Sequence, residues 1–232
     1  MSKRPDDRHR LYGRRRGRPL RANRRRLLES LLPQLEIRLP PGGAANLDPA
    51  GLFAVPVERV WFEVGFGSGE HLAARAAAHP NLGFIGCEPY INGVAALLAR
   101  IDAADLGNIR IYRDDARALL DALPMASLGR VFVLFPDPWP KRRHAKRRFI
   151  SASSVAALAR VLEPGAELWL ATDDEGYCRW ALDHLIRSGA FDWLAETARD
   201  WRRPPPDWLA TRYEAKAQEA GRACIYLRFC RR

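Results

Sequence analysis

Along most of this chain, short apolar runs and helix-patterned stretches take turns, and that alternation restricts the fold more than any other feature. The apolar runs lie near 60–64, 83–88, 108–112, 130–135, 166–171 and 223–229. Helical patterns occupy 69–79, 91–104, 115–122, 149–161 and 175–189 between most of them. A strand followed by a helix and then by another strand of the same sheet returns parallel to the first, through a right-handed crossover. The alternation therefore predicts a parallel, doubly wound α/β sheet, with the run at 223–229 closing it. Gly129 and the Glu163-Pro164-Gly165 turn fall where loops are needed. No internal repeat and no second domain are visible, so residues 51–232 are expected to form one domain. The stretch 199–213, with Pro204-Pro205-Pro206 and Trp208, reads as a long surface connection.

Ahead of that domain, residues 1–50 are expected to form a basic, flexible extension. Residues 1–26 are crowded with arginine and offer almost nothing to bury, which leaves their ordering entropy without an offset. One short helix is expected at 27–39, ended before Pro40-Pro41-Gly42-Gly43. The formal charge of +11 and the pI near 10.1 point to a polyanionic partner, nucleic acid above all. No apolar stretch approaches the ~20 residues of a membrane span, and the arginine-rich start does not suit a secretory signal. Cys87, Cys178, Cys224 and Cys230 lack CxxC or zinc spacing, and the histidines do not cluster with acids or cysteines at metal spacing. Reduced cysteines, a cytoplasmic location, no metal and no membrane are expected.

The first apolar run ends in Glu63-Val64-Gly65-Phe66-Gly67-Ser68-Gly69 and leads into a helix at Glu70. Glycines at such a junction let the backbone turn sharply and approach a ligand closely. Glu88 ends the next run, where a carboxylate can hold ribose hydroxyls. The spacing is G-x-G-x-G rather than that of dinucleotide sites, and no lysine-serine pair is present for a nucleotide phosphate. Adenosine without a pyrophosphate fits this set, which means S-adenosylmethionine. Asp115, after the third run, is placed to accept from an adenine amino group, and its neighbour Asp114 could exchange roles with it.

The segment 131–148, VFVLFPDPWPKRRHAKRR, carries the densest chemistry. Its apolar half is a buried strand, which Pro136, Pro138 and Pro140 must end, because each removes a backbone donor and fixes φ. Asp137 and Trp139 then sit on a proline-stiffened turn at a strand's carboxyl end, where open α/β sheets bind ligands. Lys141, Arg142, Arg143, His144, Lys146, Arg147 and Arg148 follow, a one-signed run suited to a phosphate backbone.

With both stretches in view, the chain resembles the bacterial tRNA (guanine-N7)-methyltransferase family. FEVGFGSG at 62–69, GCEPY at 86–90, FPDPWPKRRHAKRR at 135–148, ATDDEGY at 171–177 and TRYE at 211–214 carry the resemblance. The first fifty residues do not share it. The resemblance implies a single Rossmann-like class I methyltransferase domain and a cytoplasmic enzyme, monomer or homodimer, acting on tRNA. It implies that Glu63, Glu88, Asp115 and Asp137 contact S-adenosylmethionine beside Gly65, Gly67 and Gly69, and that Asp137 is the active-site acid. Lys141, Asp173, Thr211, Arg212, Tyr213 and Glu214 would bind the substrate nucleoside. Arg143, His144, Lys146, Arg147 and Arg148 would meet the RNA backbone. The usual substrate of that family is guanine 46 of the tRNA variable loop.

Read as chemistry, guanine N7 is an unprotonated lone pair, so its methylation needs no strong base. A carboxylate near the ring would favour the positive charge that develops there. Either Asp173 or Glu214 could accept from guanine N1–H and the N2 amino group. Asp173 is equally a helix cap, as Asp174 is, and Trp139 either stacks on a base or packs its loop. Three rivals stand beside this reading: a class I methyltransferase acting on another RNA base, a non-catalytic basic RNA-binding protein, and an NAD-dependent oxidoreductase, against which the glycine spacing speaks.

Overall fold

The computed structural model describes residues 11–39 and 47–232 of the chain. Lys3, Arg4, Arg8 and Arg10 of the expected arm, and the Pro40-Pro41-Gly42-Gly43 stop, lie outside the described residues. The chain divides into two compact units, Met1–Pro124 and Met125–Arg232.

In the first unit, helices α1 (Ala22–Ser30) and α2 (Leu32–Leu35) precede β1 (Val60–Val64), α3 (Glu70–Ala78), β2 (Gly83–Cys87), α4 (Ile91–Ala104), β3 (Ile109–Tyr112) and α5 (Ala116–Ala122). The three strands are parallel, with Val64 opposite Cys87 and Cys87 opposite Tyr112. Parallel pairing puts the carboxyl ends of all three at one edge, which brings the glycine loop, Glu88 and Asp115 together. The strands and the helices α3 and α4 enclose a core that includes Leu72, Phe84, Leu97, Leu98, Ile109 and Ile111.

The expectation of an extension over residues 1–50 meets packed structure here. Leu27, Leu32 and Leu35 belong to the same core, Ile37 is also buried, and the Ile37 amide donates to the Ile111 carbonyl at 2.8 Å. The expected single helix at 27–39 starts earlier and is split in two. Pro33 explains the split: it has no amide hydrogen for a continuing helix but is tolerated in the first turn of a new one. Upstream, the Ile91 amide donates to the Arg15 carbonyl at 3.0 Å, and Asn92 bonds both the Gly17 amide and the Arg18 carbonyl. Arginine content hid this, because backbone groups and four apolar side chains do the anchoring.

The second unit contains β4 (Leu128–Leu134), a 3-10 turn (Arg142–Arg147), α6 (Ala152–Val161), β5 (Leu162–Thr172), α7 (Glu175–Arg187), β6 (Phe191–Trp193), α8 (Arg199–Arg202), α9 (Arg212–Glu219) and β7 (Ile225–Arg231). β4 and β5 are parallel, whereas β7 lies antiparallel to β5. The last strand does not close this unit, as had been expected, because the short β6 pairs with its outer edge. The stretch 199–213 is likewise not all irregular, since it holds α8 and the start of α9. Leu134 lies opposite Ala171, and Thr172 opposite Ile225. The segments after β4, after β5 and before β7 therefore meet at one end of these strands. No helix among the described residues is long and apolar enough to cross a membrane.

Candidate cofactor and substrate sites

The glycine loop of the first unit depends on backbone that only glycine adopts cheaply. Gly65, Gly67 and Gly69 have φ of 68°, 58° and 75°. Nothing lies within 4 Å of where a Cβ on Gly65 would stand, so its backbone faces open space. Gly93 on α4 was not singled out in the sequence, yet a Cβ there would stand 2.1 Å from the Gly67 carbonyl oxygen. α4 supports the loop at that contact.

The three acids predicted for this edge are all buried and all engaged. Glu63 accepts from His71 Nδ1 at 2.7 Å, and Arg75 Nε donates to His71 Nε2 at 3.3 Å. The Arg75 bond leaves the His71 proton on Nδ1, facing the Glu63 carboxylate. All three side chains are almost fully buried. The i, i+4 spacing of His71 and Arg75 on α3 was a readable signal for one helix face. Glu88 accepts from the Gly67 amide at 2.8 Å through one oxygen and from the Tyr90 amide at 2.9 Å through the other, bracing the loop. Asp115 caps α5 by accepting from the Arg117 amide, and it also takes a two-pronged bond from the Arg117 guanidinium. Asp114 is exposed, with Arg15 at 3.6 Å. Burial, followed by the charges of Asp115 and Glu88, pushes the Cys87 thiol well above its ordinary range.

In the second unit, the turn after β4 is strained and firmly held. Phe135 and Trp139, on either side of Asp137, have φ of 49° and 42°. Left-handed backbone costs a side-chain-bearing residue about 1–2 kcal/mol. The Phe135 amide donates to the Ala171 carbonyl at 2.7 Å, and Arg148 binds the carbonyls of Pro138 and Trp139 at 2.8 and 3.3 Å. Asp137 itself is exposed and makes no hydrogen bond or ion pair among the described residues. Trp139 packs the loop: His144 meets its ring edge-on and the Arg147 guanidinium lies 4.9 Å over it.

The basic run is therefore not uniform. Arg148 is committed to the turn and lies 4.8 Å over the Trp180 ring, while Lys141, Arg142, Arg143 and Lys146 project into solvent. Partial burial, then the charges of Arg147, Arg143 and Lys141, hold the His144 imidazole below its ordinary range. This surface presents several exposed cations together.

Two of the remaining acids divide by role. Asp174 caps α7, accepting from the Tyr177 amide at 2.7 Å, whereas Asp173 pairs with Arg222 at 2.7 Å and stays partly exposed. Glu214 is buried inside α9's capping box with Thr211. Its oxygens accept from Trp208 Nε1 at 2.7 Å and from the Tyr226 hydroxyl at 2.6 Å. Arg212 and Tyr213, between these two, are exposed. Sequence spacing carried the signal for this helix, because Thr-x-x-Glu is the capping-box pattern. Among the described residues, no three or more His, Cys, Asp or Glu side chains gather where they could hold a metal ion.

Comparison with known proteins agrees with this layout. A family described as "Putative methyltransferase" matches residues 58–227. The tRNA (guanine-N(7)-)-methyltransferase of Rhodospirillum rubrum is 52% identical over 233 residues, covering 100% of this chain and 91% of its own. The enzyme of that name from Nitrobacter hamburgensis is 53% identical over 220 residues, 95% of this chain and 86% of its own. Among solved structures, the 16S rRNA methyltransferase KamB superposes with a TM-score of 0.53 at 18% identity, covering 76% of this chain and 89% of its own. The [4+2]-cyclase SpnF reaches 0.52 at 13% identity, covering 77% and 76%. A cyclase and a methyltransferase share this fold, so the fold by itself does not choose a reaction. Near-full-length identity does what the fold cannot, and the chain belongs to the tRNA (guanine-N(7)-)-methyltransferase family.

Proposed function

We infer that this protein transfers a methyl group from S-adenosylmethionine to guanine N7 in tRNA, at position 46 of the variable loop. The observation that carries this reading is the match to enzymes of that name over 100% of this chain. S-adenosylmethionine supplies a sulfonium-bound methyl as the electrophile. The first unit's edge suits it: three buried acids stand with a glycine loop that has no lysine and an open face at Gly65. Glu63, Glu88 and Asp115 would hold the cofactor together with Gly65, Gly67 and Gly69. Each carboxylate keeps lone pairs beyond those its protein donors use.

Asp137 is the acid we assign to the reacting centre. N7 has no proton to lose, so the carboxylate acts by stabilising positive charge in the alkylated ring and by aligning the reactants. Its exposure, and the absence of a hydrogen bond or ion pair to it among the described residues, leave both oxygens available. For the guanine edge we favour Asp173 over Glu214. Both Glu214 oxygens are taken by protein donors, whereas among the described residues Asp173 has one ion pair, with Arg222. Thr211, Arg212 and Tyr213 complete the substrate side, with Glu214 fixing their helix. Lys141, Arg143, His144 and Lys146 meet phosphates, and Arg147 and Arg148 shape the turn that presents them. The assignment places the enzyme with tRNA in the cytoplasm and is met by a monomer or a homodimer.

A test is to replace guanine 46 of an unmodified transcript by 7-deazaguanine, which keeps the Watson–Crick edge but has carbon at position 7. Methyl acceptance should disappear while binding persists. Undiminished acceptance would move the reaction to another atom or base.

A further inference from the structure

Beyond the assigned residues, the second unit holds a cavity of about 290 Å³ between α7, β6, α8 and β7, lined among others by Trp193, Trp201, Leu182, Ile225, Glu175 and Arg179. We propose that this cavity is a stacking subsite for one unpaired nucleotide of the tRNA, next to the methylated guanine. The proposal rests on the reading of tRNA as substrate.

Four observations converge on it. The walls include two indoles and aliphatic side chains, the surface on which a nucleobase of any sequence stacks. The volume lies at the small end of the ~300–1,000 Å³ range of ligand pockets, enough for a flat ring system and too little for a folded segment. The charge is right for a nucleic-acid strand: Arg202 lies 4.6 Å over the Trp201 ring, and Arg199, Arg203 and Arg179 are also exposed. Nearby Asp200 is also exposed, with its carboxylate engaged by the Glu196 and Thr197 amides and the Thr197 hydroxyl. Finally, the position is right. Ile225 pairs with Thr172, the residue before Asp173, and Glu175 begins the helix that Asp174 caps. The cavity thus belongs to the same end of the strands as the proposed guanine-reading acid.

The cavity also offers polar recognition. The Glu175 carboxylate, in a solvent-exposed pair with Arg179 at 3.3 Å, can accept from an exocyclic amine. A nucleotide is favoured over a peptide partner because the arginines around Trp201 select a chain with a charge at each unit.

The test uses the full-length protein and tRNA transcripts in which single nucleotides flanking the target guanine are made abasic. Base–aromatic stacking predicts that Trp201→Ala weakens tRNA binding roughly 5- to 100-fold, that Trp201→Phe restores most of it, and that cofactor affinity is unchanged. One abasic position should weaken the wild type similarly and have little further effect on Trp201→Ala. If Trp201→Ala binds every transcript as the wild type does, or its loss is additive with every abasic site, the subsite is refuted. Formation of 7-methylguanosine by the wild type is scored in parallel. Its absence would count against the methylation reading, while the binding series still decides the subsite.

Discussion

The carboxylates at the two strand ends of this molecule are treated in opposite ways. In the first unit, Glu63, Glu88 and Asp115 are buried and each is bound by protein donors, with His71, the Gly67 and Tyr90 amides, and Arg117. In the second, Asp137 stands exposed on a strained turn amid cations. A satisfied buried acid is a fixed potential, and it suits holding a cationic cofactor in one pose. An exposed acid without protein partners has its valence free for a substrate. Glu214 crosses this division: it lies in the second unit but is as buried and as satisfied as the acids of the first. Its burial and its bound oxygens make it a scaffold acid.

That contrast can be broken by substitution. Asp137→Ala should lower methyl transfer by roughly 10²–10³-fold, the usual cost of removing one preorganised electrostatic group. Thermal stability and tRNA affinity should stay near wild type; an equal loss of both would make this turn structural. Glu214→Ala should do the reverse and unfold the protein more easily, by about 2–4 kcal/mol in denaturant titration. It leaves Trp208, Tyr226 and the Thr211 amide without their acceptor. Glu88→Gln keeps the shape but weakens the acceptor for two backbone amides. About a tenfold rise in the S-adenosylmethionine dissociation constant is expected by calorimetry, with kcat at saturation little changed. Asp174→Ala should cost about 1 kcal/mol of stability, the worth of one helix cap, and leave methyl transfer intact. Within the basic run, Lys141→Ala should reduce the slope of log tRNA affinity against log salt by about one, with no change in melting temperature. Arg148→Ala should lower the melting temperature instead, because its guanidinium holds two carbonyls of the turn.

Much of this was legible before any coordinates. The periodic strands and helices declared themselves because each buries a whole face, so β1, β2 and α4 fell close to their expected spans. β4 and β5, by contrast, start earlier and take in Gly129 and the Glu163-Pro164-Gly165 stretch expected as loops. β6 escaped notice because three residues cannot show a period. The anchoring of residues 15–37 was hidden by arginine content, since backbone bonds and scattered leucines do not outweigh composition in a sequence window. Among the candidate site residues, Glu63 was marked by its place at the end of a strand, and Glu88 and Asp137 by theirs just after one. The same signal could not separate Arg148 from its exposed neighbours, nor Glu214 from Asp173. Those differences arise from contacts between residues far apart in the chain, such as Tyr226 with Glu214 and Arg222 with Asp173.

The most direct measurement uses bulk tRNA from cells lacking this activity, labelled S-adenosylmethionine and the purified full-length protein, with digested nucleosides identified by mass and chromatography. The account predicts 7-methylguanosine as the labelled product. A different methylated nucleoside in its place would contradict the assignment of guanine N7.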